Sequence, residues 1–286
     1  MFGPWTTFNS IVFYLTLVLS LGGLAGNGLV LRTLGFHVKK GPLSVYVLHL
    51  ASADCLFLAS QAGFSVAEAT LGSQHPLALP LTFLWFAVGL WLLAALGTEH
   101  CLSSICPACY QCCRPKHASA ALCVLIWALS LPAVLLPAHA CGLLGHGRRL
   151  RACLRYHAAG LTWLACLTAT ACVPGLVLLA WVGCCSPRPR PHLDSVVLGT
   201  VLLFILCGLP FVLYWSFTTP LNFLLPMFGP LATLLACVDS GAKPLLYFMA
   251  GRQRGKREPL RATLQRALGG KAEREAAGLT LPLGLM

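Results

Sequence analysis

Apolar residues run through this chain in seven long blocks, at roughly residues 10–34, 43–69, 79–104, 118–137, 157–184, 193–217 and 221–248. A helix needs about 20 mostly apolar residues to cross a bilayer. Each block meets that length, which predicts seven transmembrane helices. Short polar segments punctuate them: "GSQHP", "HACGLLGHGRRLRACLRY" and "CCSPRPRPHLD". The alternating prolines of the last cannot continue a helix. The break after Phe217, "TTP", is the weakest boundary. A β-barrel is disfavoured, because its strands would alternate apolar and polar residues instead of running apolar throughout. The fold class expected is an all-α membrane protein, a seven-helix bundle over 1–250 followed by a cytosolic tail over 251–286.

Composition agrees. The chain of 286 residues is 57% hydrophobic and 10% charged, against about 25% charged in a soluble domain. The net charge of +12 does not indicate nucleic acid, because the charges fall between the apolar blocks. No cleavable signal peptide is evident: the N-terminus lacks a basic stretch and its first apolar run is too long. Lys and Arg set the orientation. With the N-terminus outside, the cytosolic side holds fifteen basic residues and the outside four, Arg148, Arg149, Arg151 and Arg155. The expected location is the plasma membrane, with the N-terminus extracellular and the C-terminus cytosolic.

The tail segment "REPLRATLQRALGG" sets Leu260, Leu264 and Leu268 on one helical face, with Pro259 suited to the first turn and Gly269 to a C-cap. It reads as a short amphipathic helix on the anionic inner leaflet, or else as a solvated basic tail. Of the fifteen cysteines, most lie inside apolar runs as small buried hydrophobes. Cys106, Cys109, Cys112 and Cys113 instead crowd the cytosolic membrane edge. Palmitoylation is one reading, inert thiols a second and metal binding a third; Cys184 and Cys185 invite the same reading. No phosphate loop, HExxH motif or nucleophile elbow is visible, so neither catalysis nor a cofactor is expected.

The punctuation of the spans resembles a class A (rhodopsin-like) G-protein-coupled receptor along nearly the whole chain. The markers are "GNGLV" with Asn27, "LASAD" with Asp54, Trp127 with Pro132, Pro174, Pro210 in "CGLP", and "KPLLY" where the family usually has Asn-Pro-x-x-Tyr. The stretches "GFHVKKGPLSVYVLHLASADCLFL", "LPFVLYW" and "NFLLPMFGPLATLLACV" look like the Mas-related receptors. Three departures from general class A agree. Gly208 stands in place of the toggle tryptophan, the third span lacks an outer cysteine, and Cys141 and Cys153 form a possible pair in the second outer region. The resemblance implies a receptor for an extracellular ligand that acts on a heterotrimeric G protein. Two other readings stay open: a signalling-deficient binding or trafficking protein, and an ion or proton translocator using Asp54, Lys243 and Glu99.

Buried charges narrow the chemistry. Asp54, Asp239 and Lys243 lie within apolar spans, where an uncompensated charge costs on the order of 2.5–3.5 kcal/mol. Asp239 and Lys243 are four apart and share a helix face. Many class A receptors hold sodium beside the matching acid; here the Lys243 ammonium is expected either to stand in for that ion, tethered between Asp54 and Asp239, or merely to satisfy a buried acid without switching. Tyr247, Pro210 and Gly208 complete the expected switch. "GTEHCLSS" gives Glu99-His100-Cys101 at the G-protein end, where the Mas-related group usually has Glu-Arg-Cys. His100 is shorter and lacks the guanidinium fork. The resemblance places a ligand cavity among spans three to seven, lined by Thr82, Phe83, Phe86, Phe211, Tyr214, Trp215 and Thr233. The four loop arginines, with His139, His146 and His157 nearby, favour a neutral or acidic ligand.

Overall fold

The computed structural model describes residues 4–36, 41–72, 75–106, 108, 110, 112, 114–115, 117–144, 150–184, 191–221, 228–252 and 260–268. Nine α-helices follow one another among these residues. They are α1 (Pro4–Phe36), α2 (Pro42–Leu71), α3 (Ala78–Ile105), α4 (Ala118–Ala140), α5 (Leu150–Cys184), α6 (Pro191–Leu203), α7 (Leu209–Leu221), α8 (Phe228–Gly251) and α9 (Leu260–Ala267). A π-helical turn, Phe204–Gly208, joins α6 to α7, so the two form the sixth span. Seven helical segments are long and apolar enough to cross a membrane. The span order matches the apolar blocks. The fifth helix starts at Leu150, earlier than the block predicts, because the arginine-rich junction is itself helical. The last span starts at Phe228.

Pro210 accounts for the irregular turn. It has no backbone N–H and its ring would collide with the carbonyl four residues back. The chain relieves this by widening one turn, a common form of helix kink.

Outward faces of α1, α4 and α5 carry exposed Val18, Val124 and Leu176, as expected of helices solvated by lipid. The inward faces form two clusters. One holds Phe57, Phe83, Phe86, Phe204, Phe211 and Trp215. The other holds Tyr46, Leu50, Leu92, Leu96, Tyr247 and Leu264. Small residues let α1 approach α8 closely: a Cβ on Gly23 would meet the Gly241 Cα at 2.9 Å. That approach lets Asn27 Nδ2 donate to both Gly23 O and Ser240 O, each at 3.0 Å. Packing and interhelical hydrogen bonds of this kind drive helix association where water supplies no force.

The tail helix differs from a purely interfacial one. α9 packs on α8 and α1, and Leu264, Ala267 and Leu268 are buried in the second cluster. Arg266 Nη1 donates to Gly251 O at 3.1 Å. The leucine face therefore caps the end of the bundle. Pro259 and Gly269 lie outside the described residues.

Candidate functional site

Lys243 sits at the centre of the bundle. One helical turn on α8 sets it above Asp239, and α2 brings Asp54 opposite. Lys243 Nζ donates to Asp54 Oδ1 at 2.9 Å and pairs with Asp239 Oδ2 at 3.0 Å. All three are at most 3% exposed. Two carboxylates face one ammonium. Asp239 Oδ1, Tyr247 Oη and Asn27 Oδ1 are buried and find no hydrogen-bond partner among the described residues. A void of about 10 Å³ touches Asp54, Asp239, Lys243, Phe86 and Phe204, about the size of a single water. The group that the apolar run could not accommodate alone thus meets both acids at once.

Above it lies a layer of rings. Phe211 packs on Phe86 (centroids 5.2 Å apart), Phe57 (5.8 Å) and Phe83 (6.0 Å). Gly208 leaves room for this layer: a Cβ there would stand 2.6 Å from Phe204 Cδ2 and 3.1 Å from Phe86 Cζ. The absent tryptophan is replaced by phenylalanine rings from neighbouring positions.

Beyond the rings, a cavity of about 500 Å³ opens at the N-terminal side of the bundle. Of the residues expected around a ligand, Thr82, Phe211, Tyr214 and Thr233 line it. Phe83, Phe86 and Trp215 do not. Phe83 and Trp215 stack face to face, centroids 4.3 Å apart and 4° from parallel, and so are spent on each other. Phe86 lies deeper, at the Lys243 void. The cavity also lies on a different side from that expected. It is bounded by α1 and α2 as well, through Asn9, Thr16, Gln61, Ser65 and Glu68. Gln61, Ser65 and Glu68 fall on one helical face, a polar stripe that spacing alone displays. Arg151, Arg155, His139 and His157 are not among the lining residues. His157 is buried, with Nε2 at 2.6 Å from Ser216 O. Arg148, Arg149 and His146 lie outside the described residues. Cys141 and Cys153 form a disulfide, Cα atoms 4.6 Å apart, tying the end of α4 to the start of α5 on this same side.

At the opposite end, His100 is fully buried. Its Nε2 lies 2.8 Å from Asp194 Oδ1 on the first turn of α6, so the ring donates across the gap between the third and sixth spans. Sequence reasoning missed Asp194, which reads as part of a polar junction. Glu99 turns the other way. It pairs with Arg114 Nη2 at 2.7 Å and accepts hydrogen bonds from Tyr110 and Ser119. The Arg114 guanidinium lies over the Tyr110 ring, 5.4 Å from its centroid. Cys101 is half-buried with a free thiol, and Cys106 and Cys112 are exposed thiols. Cys109, Cys113 and Cys185 lie outside the described residues.

Seven apolar spans, a charged cluster at mid-depth, an open cavity at one end and an acid–histidine pair at the other define a heptahelical receptor architecture. No family model matches the chain. It is 61% identical over 286 residues to the Homo sapiens Mas-related G-protein coupled receptor member G, covering 100% of this chain and 99% of that protein. It is 51% identical over 284 residues to the Mus musculus member G, covering 99% and 98%. It is 39% identical over 287 residues to the Homo sapiens member E, covering 98% and 92%. The chain belongs to the Mas-related G-protein-coupled receptors.

Proposed function

We propose that the chain is a plasma-membrane receptor that takes an extracellular ligand in the cavity and acts on a heterotrimeric G protein at the opposite face. The N-terminus is outside in this reading. The Cys141–Cys153 disulfide supports it, because such bonds persist on the oxidising side, and so does the excess of basic residues on the other side. The switch runs through Asp54, Asp239, Lys243 and Tyr247, with Pro210 and Gly208 shaping the sixth span. Lys243 takes the place of a dissociable ion, holding α8 to α2 in the resting state.

The observation that carries the proposal is the buried His100–Asp194 contact. It joins the third span to the sixth at the face where Glu99, His100 and Cys101 stand. Burial strengthens a hydrogen bond to a carboxylate, so the contact acts as a latch on outward movement of α6. The test is guanine-nucleotide exchange on purified G proteins, in membranes with equal receptor surface density. Asp194→Asn weakens the latch and raises basal exchange. His100→Arg restores a guanidinium fork and raises exchange above background. Exchange unchanged in both variants overturns the proposal.

A second reading, a receptor-like protein that binds partners without signalling, is favoured by one observation: His100 is fully buried and engaged, so it presents nothing to a partner. Binding of a nucleotide-free G protein to the purified chain separates the two. The translocator reading predicts a proton current, which a voltage-clamp measurement decides.

A further inference from the structure

A second cavity, of about 600 Å³, lies on the flank of the bundle toward the end that carries His100. α3 lines it with the stripe Trp91, Ala95, Thr98 and Leu102, and α4 faces that stripe with Ala118 and Leu122. Leu102 and Leu122 are 55% and 40% exposed, so the opening gives onto the surrounding lipid. From Trp91 to Leu102 the stripe rises about 16 Å, close to half of a hydrocarbon core about 30 Å thick. The groove therefore runs the depth of one leaflet. Its charges gather at one end, where Glu99 and Arg114 line it. Glu99 is spent: it pairs with Arg114 Nη2 at 2.7 Å and accepts from Tyr110 and Ser119. Arg114 is not. Among the described residues only its Nη2 is engaged in hydrogen bonds, and the Tyr110 ring supports the guanidinium from one side. The N–H donors on Nη1 and Nε remain. Thr98 Oγ1 donates to Ala94 O at 2.8 Å, so it adds no donor of its own. An apolar channel of one-leaflet depth thus ends on unspent cationic N–H groups.

We infer that this groove is a site for an ionised long-chain fatty acid, whose carboxylate meets Arg114 and whose chain lies along α3 beside α4. A guanidinium between two carboxylates repeats the arrangement at the other charged cluster, where one ammonium faces Asp54 and Asp239. An amine in the same place would meet the Arg114 charge, with Glu99 already engaged. A fatty ester or alcohol would fill the channel but forgo the charge-assisted hydrogen bond. Depth separates a fatty acid from a phospholipid. Glu99 stands seven residues before Cys106, about 10 Å inside the end of α3. The Arg114 and Glu99 side chains are only 17% and 11% exposed. A terminal carboxylate on a single chain reaches that depth. A phosphodiester bearing a glycerol and a second chain is held at the headgroup layer and fits the narrow end poorly. The volume suits one chain, within the range of ordinary ligand cavities. The site is separate from the extracellular cavity, and its occupancy is independent of whether the receptor activates a G protein.

The test is photolabelling of the purified full-length receptor in phosphatidylcholine nanodiscs, at mildly alkaline pH and with no G protein present. The probe is palmitic acid carrying a diazirine midway along its chain, and labelled peptides are mapped by mass spectrometry. Label should concentrate on the α3 and α4 residues of the groove. Excess palmitate should remove it, whereas methyl palmitate and hexadecylamine should not. Arg114→Gln should weaken competition by palmitate about tenfold or more, as loss of a hydrogen bond to a charged group requires, and Arg114→Lys should retain it. Because Arg114→Gln also takes a partner from Glu99, Leu122→Trp provides a second arm. Leu122 faces lipid, so added bulk there narrows the groove, keeps the Arg114–Glu99 pair and should abolish the label. Label spread evenly over lipid-facing helices such as α1, or equal competition by methyl palmitate, overturns the inference. So does label that persists in Leu122→Trp. Stronger competition by phosphatidate than by palmitate also overturns it and assigns the groove to a phospholipid.

Discussion

Replacing Lys243 by methionine removes the ammonium and keeps an unbranched side chain one atom shorter. Two contacts disappear together, at 2.9 and 3.0 Å. At an effective dielectric constant near 20, each is worth about 5–6 kcal/mol of gross attraction. Repulsion between the acids and the desolvation of all three groups oppose most of that. The net cost of stranding one side of a buried ion pair is about 3–5 kcal/mol. For a chain of this size the thermal midpoint should fall on the order of ten degrees. A neutralised triple variant, Asp54→Asn with Asp239→Asn and Lys243→Met, should recover most of the loss, because no uncompensated charge remains. Sodium provides a second readout. In Lys243→Met the bare acids form a cation site, so sodium chloride should stabilise the variant more than choline chloride does. The native receptor should not distinguish the two salts. An unchanged midpoint in Lys243→Met, or equal sodium dependence in both proteins, would refute the tethered-cation reasoning.

Gly208→Ala forces a methyl group to within 2.6 Å of the Phe204 ring and should destabilise the receptor by about 1–3 kcal/mol, read as a lowered midpoint. Cys141→Ser should cost about 3 kcal/mol through the opened loop, with Cys153→Ser giving the same shift and the double variant no further loss. Phe211→Ala, which removes a buried ring from the cavity floor, should cost about 3–5 kcal/mol and admit water to the Lys243 void, detectable as faster hydrogen exchange around Asp239.

The charged cluster was legible in the sequence for a physical reason. A lysine in an apolar run demands a partner; helical spacing supplies Asp239, and Asp54 was implied by the resemblance to class A receptors. The seven spans were legible because bilayer thickness fixes their length. Asp194 was not, since it stands 94 positions from His100 and in a segment whose prolines read as a loop. The side of the cavity was also hidden. Phe83 and Trp215 have the composition of a ligand wall, yet only three-dimensional packing reveals that they satisfy each other. The polar stripe Gln61, Ser65 and Glu68 was visible as spacing, but the length of the surrounding apolar run masked it.

The phenylalanine layer stands between the cavity and the Lys243 void. Phe211 borders the cavity on one side and touches Phe86, which borders the Lys243 void, on the other. A path from the cavity to Asp54 and Asp239 along this line requires a ring to rotate, so the layer is a barrier between two polar sites as well as a packing element.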